Sequence, residues 1–183
     1  MKIISTPLAD CFIIEDTLFL DSRGYFFESF NAKIFNDLSG LHINFIQDNQ
    51  SASTFGVLRG LHFQKGEFAQ AKLVRVLKGA VLDVAVDIRK NSPTFGKSFS
   101  LELTEDNHKQ LFIPRGFAHG FAVLSETATF FYKCDHYYNK QSECGIAYND
   151  ASINIDWKLK DEEIILSDKD KNNPLLKEII ETL

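Results

Sequence analysis

Two neighbouring segments of the sequence place three charged side chains where they could act together on a small molecule. Segments 73–77 and 80–88 alternate as strands do, and the Lys-Gly pair between them could form a two-residue hairpin loop. In such a hairpin Lys72, Asp83 and Asp87 would share one face, and the other face would be apolar. The polar face could be an ordinary solvated surface. It could also line the interior of a small β-barrel and hold one polar ligand there.

Five histidines raise the question of a metal site, because imidazole is a common ligand of transition metals. His62 and His119 are the two candidates. The residues after His62 read Phe-Gln-Lys, so the usual cluster of two close histidines with a glutamate is absent. The remaining histidines, which have no ligand spacing, are His42, His108 and His136. We therefore predict no functional metal.

The composition indicates which kinds of binding partner and which cellular compartment to expect. The formal net charge is −5, whereas nucleic-acid-binding proteins usually carry a basic face, so we expect no nucleic-acid partner. Three cysteines, odd in number and without C-x-x-C spacing, favour a reducing compartment. The N-terminus has no signal-peptide pattern, and no run approaches the roughly 18 apolar residues of a membrane span. We expect a cytoplasmic protein without membrane contact.

The elements that must position the charged residues are mostly strands. The sequence has 44% hydrophobic residues and 17 phenylalanines, and aromatic side chains fit a half-buried pleated surface better than a helical bundle. Short strands are predicted at 73–77, 80–88, 99–103, 110–113, 117–124 and 127–133. Their frequent turns favour a jelly-roll-like barrel.

Two short helices are predicted beside the strands. Asn31 can cap the first helix and Gly40 can end it, while Pro174 suits the first turn of the second. Their apolar stripes are Ile34, Phe35 and Leu38 in the first, and Leu175, Leu176, Ile179, Ile180 and Leu183 in the second. Since no linker or repeat divides the chain, we expect a single domain over residues 1–183.

Several motifs make the sequence recognisable. The two longest are GVLRGLHFQ (56–64) and AKLVRVLKGAVLDVAVDIRKNSPTFG (71–96). The others are DSRGYFFESF (21–30), QDN (47–49), IPRGFAHGF (113–121), YK (132–133) and LSDKD (166–170). In this order, and over nearly the whole chain, they resemble the dTDP-4-dehydrorhamnose 3,5-epimerase family. The resemblance implies an all-β fold, a cupin-type jelly-roll β-barrel with short flanking helices.

The resemblance also implies a reaction. It would convert dTDP-4-dehydro-6-deoxy-D-glucose into dTDP-4-dehydro-L-rhamnose by inverting C3 and C5. Both carbons flank the C4 ketone, so removal of either proton gives an enolate whose oxygen carries the charge. This chemistry needs a base, a group that stabilises the oxygen, an acid on the opposite face and a clamp for the nucleotide. It requires no redox or metal cofactor.

Four residues match the catalytic positions of the family. His62 matches the base, and Asp170 matches the carboxylate that would fix the imidazole tautomer. Lys72 matches the lysine near the C4 oxygen, where an ammonium would stabilise the enolate. Tyr132 matches the general acid, since a phenol with a reference pKa of about 10 is protonated at neutral pH. Asp83 could hold the lysine in place if it faces the interior.

Two local questions stay open in this assignment. Asp170 could instead be a helix-capping residue, and the neighbouring Asp168 leaves the register of the pair open. Strict alternation would put Arg59 and His62 on opposite faces of one strand, so we predict a bulge at Gly60.

Nine further positions match residues that bind the nucleotide sugar in the family. They are Arg23, Glu28, Gln47, Asn49, Arg59, His119, Tyr138, Glu143 and Lys169. Arg23 and Arg59 would clamp the pyrophosphate, because guanidinium forks suit phosphate oxygens. Tyr138, with Phe26 as a second candidate, could stack on the pyrimidine.

The family further implies a homodimer in which residues near the N-terminus complete the partner's site, and a place in deoxysugar synthesis. Two alternatives remain. One is a relative that epimerises a single carbon, isomerises the ketone or acts on another 4-keto sugar nucleotide. The other is a non-catalytic ligand-binding cupin. The presence of Tyr132 together with the His62–Asp170 pair favours the double epimerase.

Overall fold

The computed structural model describes residues 1–182, which are mostly β-strand with a few short helices, as predicted. The strands are β1 (Lys2–Ser5), β2 (Phe12–Glu15), β3 (Phe19–Asp21), β4 (Gly24–Phe26), β5 (Gln47–Thr54), β6 (Leu58–Gln64), β7 (Lys72–Lys78), β8 (Ala80–Asp87), β9 (Ser98–Thr104), β10 (Gln110–Ile113), β11 (Phe117–Val123), β12 (Thr127–Cys134) and β13 (Glu143–Gly145). The α-helices are α1 (Ala32–Ser39), α2 (Asp168–Lys171) and α3 (Leu176–Ile179). Across residues 1–182, no helix has the length and apolar character needed to cross a membrane.

Two antiparallel sheets face each other. The six-stranded sheet has the order β1-β2-β10-β7-β12-β5, and the five-stranded sheet has the order β13-β6-β11-β8-β9. Alternate residues from both sheets meet in one core, with Val74 and Phe130 from the first sheet packed with Val81 and Phe121 from the second. The third sheet is the two-stranded hairpin β3–β4, which is separate from the other two.

The outer faces of both large sheets are also covered. Helix α1 buries Phe35 completely against the six-stranded sheet. The predicted ends of this helix are confirmed, because Asn31 accepts a hydrogen bond from the N–H of Ile34 and Gly40 ends the helix with φ of 69°. Its predicted apolar stripe is only partly buried, since Ile34 and Leu38 are 39% and 52% exposed. On the five-stranded sheet, the C-terminal part of the chain packs Trp157 onto the face opposite the shared core.

The hairpin predicted between segments 73–77 and 80–88 is wrong. Both segments are strands, but β7 pairs with β10 and β12, whereas β8 pairs with β11 and β9. The chain passes from one sheet to the other at Gly79, where φ is +77° and a Cβ would lie 2.1 Å from the carbonyl oxygen of Thr127. Lys72 is therefore opposite Cys134 rather than Ala85. Alternation identifies a strand, but its partner is chosen by distant parts of the chain.

The polar face derived from that hairpin is correct for two of its three members. Lys72 and Asp83 face the space between the sheets, as Val74 and Val81 do on the same strands. Asp87 lies at the end of β8 and accepts hydrogen bonds from Arg89 and two hydroxyl groups instead. Burial would raise the pKa of Asp87, but these hydrogen bonds lower it to about 2.

The second predicted helix is shorter than its apolar stripe indicated. It comprises Leu176–Ile179 and continues as a 3₁₀ turn over Ile180–Thr182. Pro174 precedes the helix rather than occupying its first turn, and its carbonyl accepts a hydrogen bond from Ala147 N–H. Leu183, the last residue of the predicted stripe, lies outside the described residues.

Candidate active site

A cavity of about 580 Å³ opens between the two large sheets, and the C-terminal part of the chain forms one side of it. Nine of the thirteen predicted site residues line its wall. They are Asn49, Arg59, His62, Lys72, His119, Tyr132, Glu143, Lys169 and Asp170. The strands bring these residues together from positions up to 121 apart in sequence, which is why no single motif contains the site.

His62 and Asp170 form a close pair on one wall of the cavity. His62 Nε2, from β6, lies 2.5 Å from Asp170 Oδ1, from α2. The carboxylate is 4% exposed and the imidazole 29% exposed, so the carboxylate is enclosed while the ring stays accessible. Burial would raise the pKa of Asp170, but hydrogen bonds from His62, Ser167 and the N–H of Gly60 lower it. The carboxylate is therefore charged at neutral pH and can orient the ring.

The register of this pair is settled by the cap of α2. Ser167 is the N-cap residue, and its Oγ accepts a hydrogen bond from the N–H of Asp170. Asp170 is thus inside the helix and is not its cap. The neighbouring Asp168 points outward, with its side chain 98% exposed and paired with Lys171.

The bulge predicted at Gly60 is confirmed. His62 is opposite His119 on β11, whereas Arg59 is opposite a residue only two positions further along β11, so β6 holds one extra residue. Gly60 has φ of +137°, and a Cβ there would lie 2.5 Å from the Cα of Gly120. Only glycine permits this approach, and the extra residue lets Arg59 and His62 both line the cavity.

A second histidine–carboxylate pair lies deeper. His119 Nε2 is 2.7 Å from Asp83 Oδ1, and both side chains are buried. Burial lowers the pKa of His119, with Asp83 opposing the effect, so the ring is neutral at pH 7. Asp83 was expected to hold Lys72, and the hydrogen bond found is to His119 instead. Within residues 1–182, Asp83 Oδ2 is buried without a hydrogen-bond partner.

Lys72 and Tyr132 lie side by side on the adjacent strands β7 and β12. Lys72 Nζ is 5.7 Å from the centroid of the Tyr132 ring. Burial lowers the pKa of Lys72, and the nearby Cys134 and Asp83 partly oppose that shift. Burial also raises the pKa of Tyr132 to about 12. The phenol therefore keeps its proton throughout the neutral range.

Polar side chains at the mouth of the cavity are linked to one another. Glu143 Oε2 lies 2.5 Å from Lys169 Nζ and accepts a hydrogen bond of 2.9 Å from Tyr138 Oη. Gln47 accepts a hydrogen bond from the N–H of Tyr138 and donates one to Asn49. Gln47 and Tyr138 thus lie at the rim, next to residues on the wall itself.

Two predicted residues are not brought to this cavity. Arg23 lies on the β3–β4 hairpin, where its side chain is 88% exposed and paired with Asp21. Glu28 is exposed on the segment that follows the hairpin. The second candidate for stacking, Phe26, is 69% exposed on β4. All three are away from the cavity of their own chain because the hairpin pairs with neither large sheet.

Several wall residues were not predicted from the sequence. They are Gln50, Ser51, Val57, Leu58, Phe121, Phe130, Ile165, Leu166 and Ser167. Phe121 and Phe130 follow the strand alternation of His119 and Tyr132, two residues away in each case, so that spacing could have identified them. Within residues 1–182, no group of three or more His, Cys, Asp or Glu side chains is arranged to hold a metal ion.

Comparison with known proteins gives consistent matches over nearly the whole chain. A family model described as dTDP-4-dehydrorhamnose 3,5-epimerase matches residues 5–178. The enzyme of that name from Escherichia coli K12 is 52% identical over 180 residues, covering 98% of this chain and 97% of its own. A crystal structure of the enzyme from Elizabethkingia anophelis NUHP1 is 58% identical, with a TM-score of 0.95 and 97% of each chain covered. A Legionella pneumophila structure, a dTDP-6-deoxy-D-glucose-3,5-epimerase in complex with dTDP-4-keto-L-rhamnose, is 49% identical with a TM-score of 0.92, covering 96% of this chain and 93% of its own.

Proposed function

The chain belongs to the dTDP-4-dehydrorhamnose 3,5-epimerase family, and we propose on that basis that it converts dTDP-4-dehydro-6-deoxy-D-glucose into dTDP-4-dehydro-L-rhamnose. The observation that carries the proposal is the content of one cavity. An oriented histidine–carboxylate pair, a half-buried lysine and a protonated phenol line the same space. These are the base, the oxygen-stabilising group and the acid that an inversion beside a ketone needs.

His62 acts as the base. Its Nε2 donates to Asp170, so Nδ1 carries the lone pair that accepts the proton from C5 or C3. The electron pair of the broken C–H bond moves into the C–C bond toward C4, and the carbonyl oxygen takes the charge. Asp170 stabilises the imidazolium that results.

Lys72 stabilises the enolate oxygen, and Tyr132 completes the inversion. A half-buried ammonium interacts more strongly with developing charge than one in water would. The Tyr132 hydroxyl donates its proton to the carbanion face opposite His62, which inverts the carbon. The phenolate then regains a proton from solvent, and the imidazolium loses one, before the second carbon reacts. His119, neutral and held by Asp83, is proposed to bind the sugar.

The nucleotide part of the substrate is proposed to lie at the mouth. Arg59 is oriented there by Ser53, whose Oγ accepts hydrogen bonds from Nε and Nη2 at 3.2 Å, so the guanidinium can meet the pyrophosphate. Lys169 and Glu143 would contact the polar groups of the substrate next to the pyrophosphate. Gln47 and Asn49 would lie beside these two residues. Tyr138, exposed at the rim, is the residue proposed to stack on the pyrimidine.

A homodimer is proposed as the active form. The β3–β4 hairpin exposes Phe19, Leu20 and Phe26 at 62%, 77% and 69%, an apolar surface with Arg23 next to it. Burying this hairpin against a second copy would cover that surface and would carry Arg23 and Glu28 to the partner's cavity. Each site would then take part of its anion clamp from the other chain.

Mixing two inactive variants tests this arrangement. Arg23→Ala chains retain His62, and His62→Ala chains retain Arg23, so a hybrid dimer would hold one complete site. Random mixing should restore roughly a quarter of the activity of the unmodified protein. No recovery in a mixture whose hybrids are seen by native mass spectrometry would rule out a site shared between chains.

The finer fold assignment and the location are proposals as well. The two facing sheets with covered outer faces are consistent with a cupin-type jelly roll forming one domain. The cytoplasmic location stays a prediction from the sequence. The proposed chemistry uses only side chains of the protein, without a cofactor.

The reaction can be followed directly in deuterated water. With dTDP-4-dehydro-6-deoxy-D-glucose, we expect NMR to detect deuterium at both C3 and C5, and His62→Ala to abolish it. Label at a single carbon would favour the alternative of a monofunctional epimerase. No label with this substrate would contradict the proposed activity and favour another sugar nucleotide or a protein that only binds its ligand.

A further inference from the structure

The segment that carries Asp170, residues 163–176, crosses the side of the cavity and is called here the C-terminal strap. We propose that Asp150, which does not line the cavity, is a positioning residue that holds Asp170 against His62 by fixing the far end of this strap. The inference rests on the proposed function for its catalytic meaning. Its geometric part, that Asp150 fixes the relative position of Asp170 and His62, can be tested without measuring enzyme activity.

The strap is fixed before Asp170 by backbone contacts. Ile165 forms an isolated bridge with Val57: its N–H donates to the carbonyl of Gly56 at 2.9 Å, and its carbonyl accepts from Leu58 N–H at 3.0 Å. A Cβ on Gly56 would lie 2.1 Å from the carbonyl oxygen of Glu163, so the strap is seated directly on this turn. This anchor lies five residues before Asp170.

The strap is fixed after Asp170 by a charged side chain. Asp150 Oδ2 accepts a hydrogen bond of 2.7 Å from the N–H of Leu176, six residues beyond Asp170. The carbonyl of Pro174 accepts a second bond, of 2.8 Å, from Ala147 N–H. The Leu176 side chain is 6% exposed and is part of the apolar cluster on the outer face of the five-stranded sheet.

Asp150 is itself rigid and charged. It is 5% exposed, and its Oδ1 accepts hydrogen bonds from the N–H and the hydroxyl of Ser152 at 2.8 and 2.6 Å. Burial would raise the pKa of Asp150, but the hydrogen bonds from Ser152, Leu176 and Ile153 lower it. The bond to the strap is therefore charge-assisted at neutral pH, which makes it stronger than a bond between neutral groups.

Between Asp170 and its anchor at Leu176, the strap also contacts β13, the strand that pairs with the one carrying His62. Gly145, on β13, is opposite His62 on β6. Asn173 of the strap lies against this glycine so closely that a Cβ would be 2.3 Å from Asn173 Oδ1. A shift of the strap's far end would therefore move the pair, because Asp170 lies in a one-turn helix that ends at Lys171, two residues before Asn173.

The test replaces Asp150 by Asn, with Asp156→Asn as the matched control. Asp156 is an exposed carboxylate that bonds only to Lys158 among the described residues. The activity-independent readout is the ¹⁵N NMR spectrum of the His62 ring, assigned by its loss in His62→Ala. In the unmodified protein the proton should reside on Nε2. In Asp150→Asn we expect a mixture of the two tautomers, and in Asp156→Asn the unmodified spectrum.

Kinetics give the second readout. We expect Asp150→Asn to lower kcat by roughly 10- to 100-fold, because displacement of an acid–base group by about 1 Å has effects of this size, with KM changed by less than about twofold. In an Asp170→Asn background, Asp150→Asn should change kcat by less than about twofold, since the group it positions is already disabled. Ser152→Ala, a milder change, should shift both readouts in the same direction.

Three outcomes would overturn the inference. One is an unmodified His62 spectrum in a folded Asp150→Asn protein. Another is a loss of melting temperature with unchanged tautomer and kcat, which would leave Asp150 a purely structural residue. The third is additivity of the Asp150 and Asp170 effects. If Asp150→Asn does not fold, the Ser152→Ala spectrum decides. A protein without epimerase activity would contradict the proposed function, yet the ring spectrum would still test the anchor.

Discussion

Asp83 Oδ1 lies 2.7 Å from His119 Nε2 between the two sheets, and this bond uses only one of the two carboxylate oxygens. Within residues 1–182 the other oxygen is buried without a hydrogen-bond partner. The carboxylate also interacts electrostatically with Lys72, whose pKa is lowered by burial. One buried anion thus serves two groups of the cavity, the neutral imidazole that it orients and the ammonium whose charge it supports.

The first prediction concerns the pH dependence that this anion sets. In Asp83→Asn one of the charges that oppose the effect of burial is removed, so the pKa of Lys72 should fall further. A lysine whose pKa falls loses its proton at lower pH, and only the protonated form can stabilise an enolate oxygen. The basic limb of the kcat–pH profile should therefore move to lower pH.

The matched control for this prediction is Asp106→Asn, which removes an equal charge from an exposed turn. It should leave the profile unchanged. If Asp83→Asn folds and keeps its basic limb, Lys72 is not the group that loses activity there. Both profiles can be measured from the rate of deuterium incorporation across a range of buffers.

The caps of α1 are predictable from local sequence, whereas the pairing of strands depends on partners distant in the chain. Helix α1 begins after Asn31 and ends at Gly40 because a cap and a stop are decided within a few residues. The predicted β7–β8 hairpin was wrong, because a Lys-Gly turn can connect strands of two different sheets as well as neighbouring strands of one sheet. Lys72 and Asp83 nevertheless both face the space between the two sheets, since alternation fixes the inward face of each strand whatever its partner is.

In the site, too, local features were predictable and contacts between distant strands were not. The bulge at Gly60 was predictable, because a three-residue interval cannot keep two side chains on one face of a regular strand. The hydrogen bond between Asp83 and His119 was not predictable, because the local sequence of neither strand indicates that β8 pairs with β11. Arg23 matches a binding position in its motif, but it lies on a hairpin that pairs with neither large sheet, so its motif does not determine where the residue acts.

The second prediction separates proton removal from proton return. Tyr132→Phe removes the proposed acid and keeps the ring, so His62 can still form the enolate and return a solvent-derived proton to the same face. We expect deuterium exchange at the reactive carbons to continue while the yield of inverted product falls by about 10²- to 10⁴-fold. NMR of the sugar resolves label from configuration. Exchange and inversion lost in equal measure would mean that the phenol does not act as a separate acid.

The third prediction uses two neighbouring carboxylates of α2. Asp170→Asn should lower kcat by roughly 10²- to 10⁴-fold, because the amide cannot stabilise an imidazolium and favours no single tautomer of His62. Asp168→Asn changes the same type of residue two positions earlier, where the side chain is exposed, and should leave kcat within about twofold. Stopped or continuous assays of both variants test the assignment. Comparable losses of kcat in the two variants would mean that activity depends on the integrity of α2 and not on the Asp170–His62 pair.

The fourth prediction concerns the backbone that presents the base. Gly60 and Gly24 both have φ near +130°, at +137° and +130°, so alanine is strained at either position. Around Gly24 a Cβ would meet no atom within 4 Å, whereas at Gly60 it would lie 2.5 Å from the Cα of Gly120 and 3.0 Å from the carbonyl of His119. Gly24→Ala should therefore cost only the conformational strain, about 1–3 kcal/mol at most.

In Gly60→Ala the new methyl group can be accommodated only by moving β6 away from β11, since both contacts are with backbone atoms. We expect the free energy of unfolding in urea to fall by at least about 2 kcal/mol more than in Gly24→Ala, placing the change among the largest single-residue effects. Activity should fall as well, because the same shift displaces His62 from Asp170. Equal losses of stability in the two variants would show that β6 and β11 can separate freely, and that the bulge at Gly60 is not what sets the position of His62.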